Sequence, residues 1–358
     1  MSNYFLDRDA KNIERQKEII KQLPKFVNEF FVGVSLKTSA LTRLNYAYDL
    51  RIFFDFLSKE TLKKNVLNIE LKDLENISAF DIELFLEHLS NYKFNGKNLK
   101  ATAAGKERKL SAIRSFFKYY FKKDKIEKNV AAKVDMPKIN EKGIIRLEPN
   151  EVANLLDKID GDLVDGFSNK QNQLHHKLKI RDSAIVTLFL GTGIRISELI
   201  GLNVEDIHFE SNSFNVTRKG GSNSTLYFTD EIALALKNYL NYLRKEIVNK
   251  TVFGLKLIDY GYDKKYALFL SLQGTRITVR AAQNMVKKYS SLVTAKKITP
   301  HKLRSTFGTE LYKNTQDIYV VADVLGHKDV NTTKKHYAAI SDEIRKNAAR
   351  TVKLRDDD

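Results

Sequence analysis

The chain of 358 residues has no cysteine. That absence removes disulfides, thiolate metal sites and cysteine nucleophiles together. No apolar run approaches the roughly 18–20 uncharged residues of a membrane-spanning helix. The start, MSNYFLDRDAKNIERQ, lacks the apolar core of a secretory signal. A cytoplasmic location is expected. No GxxxxGK[ST] loop is present to cradle nucleotide phosphates, and no carboxylate cluster has metal-ligand spacing. Neither a metal nor any other cofactor is therefore expected. Internal repeats and low-complexity blocks are also missing. Acidic side chains are in deficit: Asp and Glu number 44 against 61 Lys and Arg, giving a net charge of +17 and a pI near 9.6.

What is present is ordinary for a folded protein, with 42% hydrophobic and 10% aromatic residues, enough for two domains with separate cores. The positive excess calls for a polyanionic partner, because counterion release from nucleic acid gives a strong attraction independent of sequence. An anionic membrane surface fits less well. The cations are spread along the whole chain instead of being gathered on one amphipathic helix.

Periodicity divides the chain. Residues 1–128 read as a helical domain. From Ser39 to Leu57, Leu41, Leu44, Tyr48, Ile52 and Phe56 recur at helical steps. Ser78 can cap a helix through Ser90, with Ile82, Phe85, Leu86 and Leu89 inward. Thr102 begins another, with Leu110, Ile113, Phe117 and Tyr120 on its core side. Lys106, Arg108 and Arg114 decorate that helix and are candidates for DNA-backbone contact. Residues 129–148 lose periodicity and read as a linker. Residues 149–358 form a second, mostly helical domain. Its stretch 161–180 reads as a polar loop exposing His175 and His176. Three short antiparallel strands follow at Val204–Glu210, Ser213–Arg218 and Ser224–Thr229, and Lys219 lies in the second turn.

Four clusters in the second domain suggest chemistry. In TGIRISEL (192–199) a glycine-broken helix junction presents Arg195, and Glu198 can brace it from the same face. In TPHKLR (299–304), Thr299 can cap a helix and Pro300 can begin it. His301 and Arg304 then share the first turn, an end that favours anions. In VLGH (324–327) a glycine ends an apolar helix and places His327 just beyond it. In TTKKHYAAI (332–340), Tyr337 stands among cations that include Lys334 and Lys335. Each cluster alone has a bland structural explanation.

Their order, R…K…HxxR…GH…Y, resembles the tyrosine recombinase (phage-integrase) superfamily. The likeness covers roughly residues 149–340 and extends to the helical N-terminal region, which is similar to the family's SAM-like core-binding domain. Within the family the chain looks like Xer recombinases, and among those the form that works without a second recombinase. Ser305 departs from many relatives, which carry a histidine after HxLR; the catalytic positions are unaffected. The resemblance implies a mainly α fold in which a helical core-binding domain precedes a catalytic domain with a small three-stranded sheet. It also implies site-specific cutting and rejoining of double-stranded DNA at a dif-like site, resolving chromosome dimers during segregation. The active form would be a homo-tetramer on two DNA sites, with a septal DNA translocase of the FtsK kind as partner. Rival readings are a mobile-element integrase, a type IB topoisomerase and a non-catalytic DNA-binding protein on the same fold.

On this resemblance Tyr337 is the nucleophile that forms a 3′-phosphotyrosine. Tyrosine of pKa about 10 is only ~0.1% ionised at pH 7, a deficit of about 4 kcal/mol. His301 is the candidate base, or a hydrogen-bond partner to the phosphate. Arg195 and Arg304 suit the charge of the transition state, because planar guanidinium donates two parallel bonds to phosphate. His327 would donate to a non-bridging oxygen. Lys219 is the candidate acid for the leaving 5′-oxygen; Arg218 beside it competes but holds its proton far more tightly. The segment after Tyr337, with Ile340, Ile344 and Ala348 in register, is expected to form a short amphipathic helix that docks on a neighbouring protomer, the alternative being packing on its own chain.

Overall fold

The computed structural model describes residues 3–138, 143–218, 221–248, 265–327, 329–331, 333 and 334. They form two compact units, dividing between residues 142 and 143.

The first unit contains α1 (Asn3–Ile20), α2 (Val27–Gly33), α3 (Ala40–Phe56), α4 (Ala79–His88) and α5 (Ala103–Phe121). Ser39, Ser78 and Thr102 cap α3, α4 and α5, their hydroxyls accepting from the backbone N–H of Thr42, Asp81 and Gly105. These caps satisfy donors that a first helical turn leaves open. The core is aromatic. Phe116 meets Phe30, Phe54 and Tyr120 edge-on at centroid distances of 5.3, 5.6 and 5.0 Å, the arrangement favoured by the ring quadrupole. Leu41, expected to face inward, is 48% exposed. The buried stripe of α3 runs instead through Leu44, Ala47, Leu50, Phe53 and Phe54, because α3 packs between α1 and α5.

Two features of this unit escaped the sequence pattern. A hairpin joins β1 (Tyr92–Phe94) to β2 (Lys97–Leu99) through Asn95 and Gly96, both at positive φ, as a tight two-residue turn requires. Asp49 is fully buried, held by Lys109 Nζ at 2.9 Å and by Arg108. Burial pushes its carboxyl above the usual range, although both cations pull the other way.

The second unit contains α6 (Pro149–Asp160), α7 (Asn169–Thr192), α8 (Ile196–Gly201), β3 (Ile207–His208), β4 (Ser213–Thr217) and β5 (Asn223–Tyr227). Then come α9 (Asp230–Tyr239), α10 (Lys245–Val248), α11 (Val279–Ser290), α12 (Pro300–Thr315) and α13 (Ile318–Leu325). The strands form an antiparallel sheet in sequence order, with Phe214 opposite both Ile207 and Leu226. Phe214, Val216 and Leu226 are buried, as the period-two pattern demands.

The stretch 161–180 departs from the expected loop. Ser168 caps α7, whose helix begins at Asn169 and continues through the polar residues to Thr192. His175 is fully buried, while His176 is exposed. His175 Nε2 lies 2.7 Å from the Gly161 carbonyl, and Nδ1 lies 2.9 Å from the Tyr289 hydroxyl, itself 3.1 Å from Asp182. Hydrogen bonds from distant segments bury this histidine, so an apolar pattern could not reveal it. Among the described residues no helix is long and apolar enough to cross a membrane.

Candidate active site

Three helix ends meet in the second unit. Gly193 ends α7 at φ +61°, and a Cβ there would come within 2.4 Å of the Phe307 ring. Only glycine combines that conformation with so close an approach. Two residues later Arg195 stands at the N-cap of α8. Its backbone N–H donates to Glu198 Oε2 at 3.0 Å, and its Nη1 donates to Glu198 Oε1 at 2.9 Å. Glu198 is buried, with 2% of its side chain exposed.

The second end is the start of α12. Thr299 occupies the N-cap position but makes no side-chain cap bond, and Pro300 fills the first turn. His301 is exposed there. Arg304, one turn on, is buried. It donates from Nη1 to the Gly193 carbonyl at 2.6 Å and from Nη2 to the Leu325 carbonyl.

The third end is the close of α13. Gly326 adopts φ +61°; its N–H donates to Asp323 O at 2.8 Å, and the His327 N–H donates to Ala322 O at 2.9 Å. This pair of crossed bonds is the Schellman closure. It turns the last carbonyls toward the other two ends. Gly326 O accepts from Arg195 Nη2 at 2.8 Å. Val324 O and Leu325 O accept from the Arg218 guanidinium at 3.0 and 3.2 Å. His327 Nδ1 lies 2.7 Å from the hydroxyl of buried Thr333.

The electrostatics follow from this geometry. Three guanidiniums, of Arg195, Arg218 and Arg304, gather on three consecutive carbonyls, where the helix dipole is negative. Buried Glu198 is in contact with two of them, pairing with Arg195 and lying 3.6 Å from Arg218. Burial lowers the pKa of Arg218, and neighbouring Arg195 pushes it the same way. The cluster keeps an excess of positive charge, which matches an anionic ligand. Planar guanidiniums can present paired donors to phosphate oxygens.

Arg195, Glu198, Arg304 and His327 thus share one site, and His301 lies three residues before Arg304 at the start of the same helix. Lys219, Tyr337, Lys335 and the segment beyond Tyr337 lie outside the described residues. Lys334 is exposed. In the first unit, Lys106 Nζ donates to Ser90 Oγ at 2.7 Å, and Arg108 is engaged with Asp49. Arg114 donates to the carbonyls of Ala131, at 3.2 Å, and Val134.

Arg218, ranked behind Lys219 as a proton donor because a guanidinium holds its proton more tightly, points inward, and its terminal nitrogens are held by carbonyls. The signal was available: alternation along SFNVTR puts Arg218 on the face of Phe214 and Val216, both buried.

Residues 146–343 match the Phage integrase family, and residues 27–124 match the Phage integrase, N-terminal SAM-like domain. The chain is 33% identical over 325 residues to tyrosine recombinase XerC of Caldanaerobacter subterraneus subsp. tengcongensis, covering 87% of this chain and 81% of that one. To tyrosine recombinase XerS of Streptococcus agalactiae it is 30% identical over 362 residues, covering 94% of this chain and 97% of the relative. A crystal structure of XerH site-specific recombinase bound to palindromic difH substrate, a post-cleavage complex, shares the fold. Its TM-score is 0.59 at 21% identity, over 87% of this chain and 80% of that one. The chain belongs to the phage integrase family: it is a Xer-type tyrosine recombinase, an enzyme that breaks and rejoins DNA strands by tyrosine transesterification.

Proposed function

We propose that this enzyme resolves chromosome dimers at a dif-like site in the bacterial cytoplasm, acting as a tetramer on two DNA sites. The near end-to-end similarity to XerS supports that role over one in a mobile element. The SAM-like first unit and the second unit would grip the duplex together, with Lys106, Arg108, Arg114, Lys334 and Lys335 as backbone contacts. A septal DNA translocase of the FtsK kind would regulate the assembly.

In the proposed reaction the Tyr337 hydroxyl attacks the scissile phosphorus. The Oη–P bond forms, the P–O5′ bond breaks, and a 3′-phosphotyrosine and a free 5′-hydroxyl result. His301 takes the phenol proton or bonds the phosphate, and Lys219 supplies the proton to O5′. Arg195 and Arg304 hold the non-bridging oxygens, with His327 as a further donor; an arginine clamp in phosphoryl transfer is worth ~10³–10⁵ in rate. Rejoining reverses each step with another strand's 5′-hydroxyl, so neither ATP nor metal enters.

The observation that carries this reading is the convergence of Arg195, Arg304 and the His327 turn on the close of α13, with positive charge in excess. A nicked suicide duplex bearing the dif-like site of the source chromosome tests it. Wild type should leave an SDS-resistant adduct and Tyr337→Phe none. No adduct with wild type, or one with the phenylalanine variant, overturns the reading.

A further inference from the structure

We infer that the β1–β2 hairpin of the first unit is a base-reading ribbon, lying in the major groove of the target duplex with Lys93 and Asn98 directed at base edges. This inference rests on the first unit gripping DNA, as proposed above.

The register sorts the strand residues by face. Tyr92 pairs with Leu99, Lys93 with Asn98 and Phe94 with Lys97, and residues directly opposite one another point to the same side. Tyr92 is buried in the first unit's core, and Phe94 packs against that core beneath the Arg51 guanidinium, 5.0 Å from its ring centroid. Arg51 in turn donates to Gln22 at 3.0 Å. The Ala101 N–H closes the base of the hairpin by donating to Leu89 O at 2.9 Å. One face is thus fixed to the unit, and the other carries Lys93 and Asn98 outward, both exposed. The tip is open: a Cβ on Gly96 would meet nothing within 4 Å.

Charge, width and chemistry identify the occupant. Residues 88–106 hold four lysines and no carboxylate, which suits a polyanion. Paired strands lie about 4.8 Å apart. With its side chains, such a ribbon fits a major groove about 12 Å wide and is too broad for a minor groove of about 6 Å. Lysine on a free strand edge also discourages edge-to-edge pairing, so Lys93, Lys97 and Lys100 alone would not separate a groove from open solvent. Asn98 does. Asparagine is disfavoured within strands, and this one, exposed at the centre of β2, serves no turn or cap among the described residues. Its amide presents a donor and an acceptor side by side, the pattern that matches adenine N7 and N6, while the lysine opposite suits guanine O6 and N7. Lys97 and Lys100 are left for phosphates, which position the protein without specifying sequence.

The preferred duplex is first selected from a pool randomised over the binding site, so that no sequence is assumed. Anisotropy titrations of the full chain then compare that duplex with a shuffled one over a range of salt concentrations. Asn98→Ala should weaken binding to the selected duplex roughly 5- to 150-fold, the equivalent of one bidentate base contact, and leave the shuffled duplex within about twofold. Lys97→Ala should weaken both alike and lower the salt slope by about 0.9. Replacing single purines by their 7-deaza forms removes the N7 acceptor from the major groove alone. At the purine that Asn98 reads, wild type should lose affinity and Asn98→Ala should not. Lys93→Ala should show the same insensitivity at a neighbouring purine. Asn98→Ala weakening both duplexes alike, or neither, overturns the inference, as does a variant that still responds like wild type to every 7-deaza purine. A selected sequence unrelated to the dif-like site would instead count against the proposed chromosomal role.

Discussion

Glu198→Gln should destabilise the second unit far more than an exposed carboxylate would. The carboxylate takes three contacts: the Arg195 N–H at 3.0 Å, Arg195 Nη1 at 2.9 Å and Arg218 Nη1 at 3.6 Å. Glutamine offers one acceptor oxygen, and its amide N–H₂ must then face a guanidinium. Arg218, with 8% of its side chain exposed, loses its counter-charge. Removing one partner from a buried ion pair costs about 3–5 kcal/mol. At roughly 2–4 °C per kcal/mol for a unit of this size, Tm should fall by about 6–20 °C. Urea unfolding of the full chain, followed by circular dichroism and fitted to two transitions, measures the loss. It should change little with added salt, since a buried pair is poorly screened. With Arg218→Met as the second mutation, the cycle should return a coupling of about 1–3 kcal/mol. A Glu198→Gln variant within about 0.5 kcal/mol of wild type, or an additive double mutant, would refute the argument.

Gly326→Ala forces a left-handed residue and drives a Cβ to 2.7 Å from Arg218 Cζ; a loss of about 2 kcal/mol or more in thermal unfolding is expected, and an unchanged Tm would contradict the close approach. Glu151 accepts from the Glu148 N–H and from Lys296, which holds its carboxyl down at about 2. Because the folded protein then binds fewer protons there than the unfolded chain, the stabilisation is complete above pH ~4.5 and is lost as pH falls toward 2. Glu151→Gln should therefore lie about 2 kcal/mol below wild type near neutrality, a figure reduced for the water reaching Lys296, and converge with it in acid. Parallel stability curves from pH 7 to 2.5 would count against this.

Three of the four candidate clusters were readable because they sit at helix ends. Gly193, Pro300 and Gly326 each mark a terminus by its backbone requirement, and Arg195, His301, Arg304 and His327 lie within four residues of those marks. The caps at Ser39, Ser78 and Thr102 were readable for the same reason, being local chemistry. What stayed hidden depends on partners far along the chain. Leu41 faces out because α1 and α5 both claim the other side of α3. His175 is buried by Gly161 and Tyr289, 14 and 114 residues away. The β1–β2 hairpin carries an Asn-Gly turn, but its three-residue strands offer no alternation to detect. The inward direction of Arg218 was legible in the period of β4, which puts it on the same face as buried Phe214 and Val216.

The guanidiniums at the close of α13 also bear on what happens before DNA arrives. Long side chains normally lose rotamer freedom when they seize a ligand, about 0.5–1.5 kcal/mol for each one ordered. Here Arg195 and Arg304 are already tethered to backbone carbonyls of the same protein, so folding has met that loss in advance. Under the proposed reaction the enzyme would meet its substrate with both arginines already in place.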